Sequence, residues 1–498
     1  MTKPRSFLNA VKWAYVGNWG ERGFTALFTV VLAGLLGPSD FGTVSIALIY
    51  IGFLQMFLDQ GFLAALIQRR QLETEHLDAV FWMDQALGLF LVTVSILLSG
   101  WWAAKNHAPE IATVISVLSV GILLKGLTVV PVAILSREMD FKSLSIRSNT
   151  AVLVGGVVGL GMAFMGLGVW ALVGQQIARD STALALLWRL SSWRPRLMFS
   201  WRHLKSLTKF SLSNFVAQLA LFTEGQAASI LLGLLFGPIA VGLYRVADRI
   251  CNSVVTIATS SIQSVSLPEF GRFQDKPMEL RQSVLKCVHL GSVGTLPPLA
   301  GLAAVSGPLM ATLGPKWIPA ADVLKILSVL GMFFIFAYFT GPLLQALSRP
   351  RQLAILEWAR VAAGIVILVI AGAIVRNGSI TSQLMGIALA RFVTVAFLIT
   401  PVFVIILMRL CRISLRELVE LVAPSAIASA SVVGSMRLFH ATGWLTGGRP
   451  VFLLIAETVI GGAVGFAVLL RLDAQLRMWV RDLLERTFGY KLVSKEVI

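Results

Sequence analysis

The chain has few charged residues for its length, and this scarcity excludes most water-soluble folds. Only 13% of its 498 residues are Asp, Glu, Lys or Arg, whereas 56% are hydrophobic. A soluble chain of this length would need several domains and far more charge to cover its surface. The composition therefore predicts a protein that lies largely within a lipid bilayer.

Cysteine and histidine are also scarce, and neither residue type forms a recognisable motif. The three cysteines, Cys251, Cys287 and Cys411, have no pairing pattern, so we interpret them as small apolar residues and not as a disulfide framework. The five histidines are scattered without metal-ligand spacing. The sequence thus predicts no metal site and no cofactor.

Motifs of nucleotide-driven and catalytic proteins are missing too. Gly155, Gly159 and Gly161 follow no strand and precede no Lys-Ser/Thr pair, so we expect them to allow close helix packing and not to cradle phosphates. The connections expected outside the cell membrane are no longer than about a dozen residues. Because such connections leave no room for a soluble catalytic domain, we do not expect an enzyme.

What the chain has in abundance is long apolar stretches. Fourteen can be marked, each about 18–28 residues long, which is enough to cross a hydrocarbon core of about 30 Å. Their approximate bounds are 13–36, 41–67, 79–100, 109–132, 149–166, 168–190, 209–236, 238–267, 284–306, 322–347, 354–375, 381–408, 418–437 and 450–470. We therefore predict an all-α membrane protein with about 14 transmembrane helices.

The net charge of +17 is distributed in a way that indicates membrane topology and not nucleic-acid binding. About 29 Lys and Arg residues fall in the two termini and in every second connection, and about five fall in the other connections. Because basic connections stay in the cytoplasm, both termini are expected there. No cleavable signal peptide is expected, since the first span follows Met1–Lys12 directly.

Tryptophans near the ends of the spans are typical of the aromatic belts at the two membrane interfaces. Those near the predicted outer ends are Trp101, Trp102, Trp170, Trp317 and Trp444. Those near the predicted inner ends are Trp13, Trp82, Trp188 and Trp358. This placement agrees with the topology that the basic connections predict.

An internal repeat divides the predicted helices into two halves. The octet LLGPSDFG at Leu35–Gly42 returns as LFGPIAVG at Leu235–Gly242, about 200 residues later. About six spans separate the copies, so the halves have the same orientation, and proteins of this kind usually move a substrate through the cleft between them. The expected regions are an N-lobe at 1–190, an amphipathic cytoplasmic linker at 191–209, a C-lobe at 210–408, helices 13 and 14 at 409–470 and a basic amphipathic tail at 471–498.

Charged residues inside the spans are the strongest functional candidates, because each costs at least about 2.5–3.5 kcal/mol at the bilayer centre. Arg245 and Arg249 lie four residues apart on one helical face, and Asp248 can pair with Arg245. Arg249 is then left to bind another anion, about 16 Å along its helix from Pro238. Arg22 is expected at a similar depth. Guanidinium groups bind phosphate oxygens in a bidentate way, so we expect a cationic cavity for a phosphate-bearing lipid.

Three further sets of residues complete the candidate site. The additional candidate phosphate ligands are Arg179 and Arg391. Three carboxylates are interpreted either as ion-coupling groups or as members of structural ion pairs, and these are Asp59, Glu224 and Asp248. The Gly-Pro pairs of the repeat are expected to form the turns, and the hinges, at the outer ends of moving helices, and these are Gly37, Pro38, Gly237 and Pro238.

Several stretches resemble a known family. They are LLGPSDFGTVSIA from Leu35, REMDFKSLSIRSNT at Arg137–Thr150, GLGVWALVGQQ at Gly166–Gln176, WRPRLMFSW at Trp193–Trp201, LPEFGRFQDKPMELRQ at Leu267–Gln282 and LGPKWIPAADVLKIL at Leu313–Leu327. The chain resembles polysaccharide flippases of the Wzx type, in the multidrug/oligosaccharidyl-lipid/polysaccharide exporter superfamily. The resemblance covers nearly the whole chain up to the last two helices.

The resemblance implies two six-helix lobes plus two helices, a V-shaped cavity and alternating access. It also implies a bacterial inner-membrane location and an undecaprenyl-pyrophosphate-linked repeat unit as cargo. Related peptidoglycan-precursor flippases have cavity arginines in their first and eighth helices, where Arg22, Arg245 and Arg249 lie here. The expected partners are therefore the lipid-linked oligosaccharide and the membrane, with a polysaccharide polymerase and export machinery as further candidates and no nucleic acid.

Two alternatives stay open at this point. An ion-coupled drug or cation exporter of the same fold would require an acidic or aromatic cavity instead of the basic excess found here. A membrane-embedded polysaccharide polymerase or ligase generally requires a large outer loop that carries catalytic groups. The sequence favours the flippase over both.

Overall fold

The described part of the chain is helical throughout. A computed structural model describes residues 7–58, 62–69, 72–442, 450–474 and 476–478, and no β-strand occurs among them. The first ten helices are α1 (Phe7–Leu35), α2 (Pro38–Leu58), α3 (Phe62–Gln68), α4 (Thr74–Lys105), α5 (Glu110–Leu118), α6 (Val120–Gly126), α7 (Val129–Arg137), α8 (Phe141–Phe164), α9 (Val169–Leu190) and α10 (Trp201–Phe236).

The remaining helices follow the same pattern of long rods and short connections. They are α11 (Pro238–Arg272), α12 (Pro277–Ala304), α13 (Ser306–Leu313), α14 (Ala320–Phe333), α15 (Ile335–Ala346), α16 (Pro350–Ile374), α17 (Ile380–Val393), α18 (Thr400–Cys411), α19 (Leu415–Ala441) and α20 (Pro450–Leu472). A 3₁₀ turn at Pro315–Trp317 precedes α14, and a π-helical stretch at Thr394–Ile399 joins α17 to α18. The predicted all-α fold is therefore confirmed.

Twelve segments of the described chain are long and apolar enough to cross a membrane. Their bounds follow the predicted spans, with two long helices, α1 and α9, outside this set of twelve. At 1.5 Å per residue, α1 with 29 residues and α9 with 22 residues extend about 43 Å and 33 Å. The two helices are long enough to cross the bilayer but carry more polar groups, and the count of 14 spans stays a prediction.

Local signals in the sequence set where the helices begin. Pro38 and Pro238 each occupy the first position of a helix, where the missing N–H of proline removes no helical hydrogen bond. Gly237 adopts a positive φ of 78° just before α11. At the start of α19 the Ser414 hydroxyl accepts from the Glu417 amide, and the Glu417 carboxylate accepts from the Ser414 amide. This reciprocal capping box explains why α19 begins at that point.

The chain divides into two compact units. The first unit contains Met1–Ser253, Leu313–Val323 and Arg351–Thr394. Within it, α8 packs against both α1 and α9, and α2 packs against α5 and α10. This unit thus contains α10 and the first part of α11 together with α1–α9, and the lobes at 1–190 and 210–408 stay a prediction.

The second unit contains Val254–Thr312, Leu324–Pro350 and Val395–Ile498. Its apolar core includes the buried side chains of Phe270, Val288, Phe339 and Leu407. Helix α19 packs against α12 and α20. Helices 13 and 14 of the prediction, which correspond to α19 and α20, are thus part of this compact unit.

Helix α9 and helix α10 are joined by an irregular segment within the range of the predicted linker at 191–209. Residues 191–200 contain no helix, and α10 then runs without a break from Trp201 to Phe236. The irregular segment is fastened to α4, where the Arg196 amide donates to Asp78 at 3.1 Å and its carbonyl accepts from the Trp82 indole at 2.7 Å. The predicted tail at 471–498 lies mostly outside the described residues.

Trp317 departs from the predicted aromatic belt. Its side chain is only 1% exposed, its indole donates to the Ala33 carbonyl at 2.7 Å, and its ring meets Phe41 edge-on at 5.5 Å. Trp101 and Trp170 remain exposed, whereas Trp444 lies outside the described residues. Trp317 therefore packs within the first unit, against the ends of α1 and α2.

Candidate functional site

Small residues on α8 bring α1 and α9 close together. A Cβ atom on Gly155 would lie 2.9 Å from the Arg179 Cβ, and one on Gly159 would lie 2.9 Å from the Gln175 Cβ. A Cβ atom on Gly156 would overlap with the Phe28 ring of α1. The close-packing interpretation of Gly155 and Gly159 is thus confirmed, while no atom lies within 4 Å of a Cβ built on Gly161.

The close approach of these helices joins two charges that the sequence separates by 158 residues. The Arg179 guanidinium on α9 donates to the Glu21 carboxylate on α1 at 2.6 Å. Both side chains remain about one third exposed, at 36% and 31%. The charges that make α1 and α9 polar therefore face an accessible space.

That space is a cavity of about 450 Å³ within the first unit, which we call the arginine cavity. Helices α1, α9, α10 and α11 provide its lining residues. They are Asn18, Glu21, Arg22, Thr25, Arg179, Gly225, Gln226, Arg245, Asp248, Arg249, Asn252 and Ser253. Four arginines face two carboxylates, so the lining carries two excess positive charges.

Arg22 and Arg249 have no carboxylate partner among the residues that the structure describes. Arg249 donates to the Thr29 hydroxyl at 3.3 Å, and Arg22 makes no hydrogen bond or ion pair with the described residues. Both side chains are exposed to the cavity. Their guanidinium groups are therefore available to an anion that enters the cavity.

Arg245 is held more firmly than Arg249. Its guanidinium donates to the Gln226 side chain at 3.1 Å and lies 4.0 Å from the Asp248 carboxylate. The predicted pairing of Arg245 with Asp248 is present. Because the two charged groups lie 4.0 Å apart, part of the Arg245 charge remains uncompensated. Gln226 and Asp248 thus orient Arg245 toward the cavity.

Arg391 differs from the prediction, because it is not among the lining residues of the arginine cavity. Its guanidinium donates to the Tyr244 hydroxyl at 2.5 Å and to Asp248 at 3.4 Å. Tyr244 is 1% exposed, and the Arg391 side chain is 19% exposed. Arg391 therefore lies outside the cavity lining, where it positions Asp248, and its role as a phosphate ligand stays a prediction.

Glu224 also lies in an ion-pair network outside the cavity lining. Arg360 of α16 contacts the Glu224 carboxylate and the Glu357 carboxylate, each at 2.5 Å. The Arg360 side chain is only 10% exposed, so the two ion pairs lie largely within the protein. These contacts favour the structural interpretation of Glu224, and Asp59 lies outside the described residues.

The Gly-Pro pairs form the expected turns. Helix α1 ends at Leu35 and α2 begins at Pro38, while α10 ends at Phe236 and α11 begins at Pro238. At the first turn the Gly37 amide donates to the Asp40 carboxylate at 3.0 Å. Gly37 and Gly237 thus lie between consecutive helices, and their hinge role stays a prediction.

A second cavity of about 240 Å³ lies in the same unit and shares Glu21 and Arg179 with the arginine cavity. Its other charged lining residues are Lys125, Arg147 and Asp180. Arg147 lies outside the predicted spans, because the fifth span is expected to begin at residue 149, whereas α8 begins at Phe141. The Asp140 side chain accepts from the Ser143 amide at 3.1 Å and caps α8, so the helix begins at Phe141. Arg147 then lies about two turns inside the helix.

Comparisons with proteins of known sequence agree with this architecture. The chain is 27% identical over 320 residues to the succinoglycan biosynthesis transport protein ExoT of Rhizobium meliloti (strain 1021), covering 64% of this chain and 65% of that protein. It is 23% identical over 359 residues to the lipopolysaccharide biosynthesis protein WzxC of Escherichia coli (strain K12), covering 70% and 72%. The matched part thus spans just under two thirds of ExoT.

Solved structures show the same fold at low sequence identity. The lipid II flippase MurJ in an inward closed conformation matches with a TM-score of 0.71 and 13% identity, covering 95% of this chain and 99% of MurJ. A multidrug resistance MATE family transporter of the MOP superfamily, in an inward-facing conformation, matches with a TM-score of 0.61 and 16% identity, covering 80% and 96%. The fold is therefore that of the MurJ and MATE proteins.

A family match covers more than half of the chain. Residues 31–322 match the family described as polysaccharide biosynthesis protein, and this range contains α2–α13 and three of the four cavity arginines. The protein is thus a multi-span membrane protein that belongs to the polysaccharide biosynthesis protein family.

Proposed function

We propose that this protein is a flippase for a lipid-linked polysaccharide repeat unit. The observation that carries the proposal is the arginine cavity, where Arg22 and Arg249 have no carboxylate partner among the described residues. A cavity of about 450 Å³ falls in the range of about 300–1,000 Å³ that is usual for ligand pockets. The named activities of ExoT, a transport protein, and MurJ, a lipid II flippase, support the same conclusion.

The proposed cargo is an undecaprenyl-pyrophosphate-linked repeat unit. Guanidinium groups bind phosphate oxygens in a bidentate way and keep their charge in a poorly hydrated space. The pyrophosphate binds Arg22, Arg249 and the partly compensated Arg245 and Arg179, while the polyprenyl chain remains in the lipid. The two excess positive charges of the lining match the negative charge of such a headgroup.

The proposed mechanism is alternating access. The cavity accepts the headgroup from the cytoplasmic side of a bacterial inner membrane, and movement about the Gly37-Pro38 and Gly237-Pro238 turns exposes it on the other side. Both chain termini stay in the cytoplasm, as the basic connections predict. A polysaccharide polymerase and export machinery are the partners that would receive the flipped unit.

The alternatives are less compatible with the cavity. An exporter of cationic drugs would bring a positive charge toward four arginines, and like charges in a poorly hydrated space repel strongly. A polymerase or ligase would require catalytic groups, whereas the cavity carboxylates Glu21 and Asp248 are held by arginines. The flippase is therefore the function that the contacts favour.

The test is reconstitution into liposomes with a fluorescent undecaprenyl-pyrophosphate-linked oligosaccharide, whose flipping is followed by quenching from one side. Loss of a charged hydrogen-bond partner costs about 1.5–3 kcal/mol. We therefore expect Arg249→Ala to reduce flipping by about 10-fold or more, and Arg22→Ala combined with it to reduce flipping further.

The matched control is Arg409→Ala, since Arg409 is an exposed arginine of α18 outside the cavity lining. This variant should flip the lipid at the rate of the unmodified protein. Equal flipping rates for the double variant and the control would contradict the proposal.

A further inference from the structure

Glu73, His76 and His203 form a compact cluster in the first unit, away from the arginine cavity. Glu73 is the N-cap residue of α4, His76 lies in the first turn of α4, and His203 lies in the first turn of α10. One ligand atom from each of the three side chains lies within 4.8 Å of the other two. Because 130 residues separate Glu73 from His203, no local spacing in the sequence reveals this cluster.

The distances within the cluster fit a tetrahedral metal ion. Zn–N bonds of about 2.0–2.1 Å and Zn–O bonds of about 2.0–2.2 Å imply roughly 3.3 Å between neighbouring ligand atoms. The Glu73 Oε2 atom lies 3.1 Å from the His203 Nε2 and 3.9 Å from the His76 Nδ1. These two distances bracket the expected value, so small side-chain movements would complete the site.

Ser200 provides the support that a metal-binding histidine usually needs. The Ser200 hydroxyl lies 2.6 Å from the His203 Nδ1. When Nδ1–H donates to that hydroxyl, the Nε2 atom presents its lone pair to the Glu73 carboxylate. In that tautomer the His203 Nε2 and the Glu73 Oε2, which lie 3.1 Å apart, can both bind one cation.

The His76 ring is buried, and one of its two nitrogen atoms has no hydrogen-bond partner among the described residues. The residue is 2% exposed. Its Nδ1 accepts from the Glu73 amide at 3.4 Å in the capping box of α4, whereas its Nε2 is buried without a partner. Buried polar atoms are normally satisfied, so the described protein groups leave one nitrogen of this imidazole unsatisfied.

We propose that Glu73, His76 and His203 bind a divalent transition-metal ion of the Zn²⁺ class. Two imidazoles and one carboxylate are a known zinc donor set, with the fourth position left to water. The ion would join the start of α4 to the start of α10, the helix that brings Gln226 into the arginine cavity.

The experiment measures metal binding directly and does not depend on flipping. The full-length protein is purified with a tag that contains no histidine, stripped with a chelator, and titrated with Co²⁺ and then with Zn²⁺. We expect one Co²⁺ per chain with the visible absorption of a tetrahedral site, and displacement of that absorption by Zn²⁺. Zn²⁺ should also raise the thermal unfolding temperature, because it binds only the folded chain.

Variants separate a metal site from a simple hydrogen-bonded contact. Glu73→Gln keeps a hydrogen-bond acceptor for His203 but removes the anionic ligand, and the Glu73 side chain is 59% exposed, so the fold should persist. We expect Glu73→Gln and His203→Ala each to weaken Co²⁺ binding by at least about 10-fold. The control His107→Asn removes an exposed histidine with a positive φ of 56°, which Asn tolerates, and should bind Co²⁺ normally.

Two results would overturn the proposal. One is the absence of tetrahedral Co²⁺ absorption from the unmodified protein at micromolar concentrations of metal. The other is Co²⁺ binding of equal affinity in the unmodified protein, Glu73→Gln and His203→Ala. Gel filtration of each variant shows whether it is folded, so a folding defect cannot imitate the loss of a ligand.

Discussion

Gly42 of α2 lies directly against the carbonyl oxygen of Pro238, the first residue of α11. The contact is reciprocal, since Gly242 of α11 lies against the carbonyl oxygen of Pro38 in α2. The two copies of the repeated octet therefore pack on each other with equivalent residues exchanged. Any movement that separates α2 from α11 has to break both contacts.

This relationship predicts the effect of a single methyl group. A Cβ atom on Gly42 would overlap with the Pro238 carbonyl, so Gly42→Ala should destabilise this closed arrangement by about 1–3 kcal/mol. The control Gly34→Ala adds a Cβ with no atom within 4 Å and should be neutral or stabilising in helix α1. Thermal unfolding in detergent measures both, and equal unfolding temperatures would refute the packing argument.

Arg249 and Arg391 should fail in different ways, because one faces the cavity and the other supports its wall. Arg249→Ala should abolish most flipping while leaving the unfolding temperature nearly unchanged. Arg391→Ala leaves the buried Tyr244 hydroxyl and Asp248 with fewer partners, so it should lower the free energy of unfolding by about 3–5 kcal/mol. Flipping and thermal unfolding are measured on the same preparations. The reverse pattern would contradict the assignment of Arg391 as a positioning residue.

Glu21 should limit how strongly the cavity holds an anion. Glu21→Gln removes one of two lining carboxylates and weakens the hold on Arg179, so the excess of positive charge rises from two to three. We expect tighter headgroup binding, seen as a KM several-fold lower, together with a lower kcat because release is slower. The control Glu138→Gln changes an exposed carboxylate outside both cavities. An unchanged KM in Glu21→Gln would count against electrostatic control of binding.

Glu224 should act as a structural partner and not as an ion-coupling group. Arg360 holds both Glu224 and Glu357, so Glu224→Gln should lower the unfolding temperature while preserving any response of flipping to a proton or sodium gradient. Flipping is measured with and without each gradient, and Glu357→Gln provides the comparison from the same network. Loss of gradient dependence in Glu224→Gln alone would favour the ion-coupling interpretation.

Much of the fold could be predicted from the sequence because apolar length and turn residues are local signals. The bounds of α2 and α11 follow from Pro38 and Pro238, and the long apolar runs mark the other spans. The start of α10 is harder to predict, since the helix begins at Trp201, inside the range expected for the linker. Periodicity alone does not show where one helix joins another.

The candidate site was predictable only in part, for a physical reason. Charges inside spans identified Arg22, Arg179, Arg245 and Arg249, which do line the cavity. Which charge faces the cavity and which faces a partner depends on tertiary contacts, and the sequence alone does not show that Arg391 contacts Tyr244 and Asp248. Distant partners such as His76 and His203 were missed for the same reason.

The polarity of α1 and α9 has a consequence for biosynthesis. A charged residue at the centre of a helix costs about 2.5–3.5 kcal/mol during insertion by the translocon, and α1 carries Glu21 and Arg22 side by side. Glu21 leaves the ribosome 158 residues before Arg179, the partner that compensates it. The nascent chain therefore carries Glu21 without this partner until α9 is synthesised.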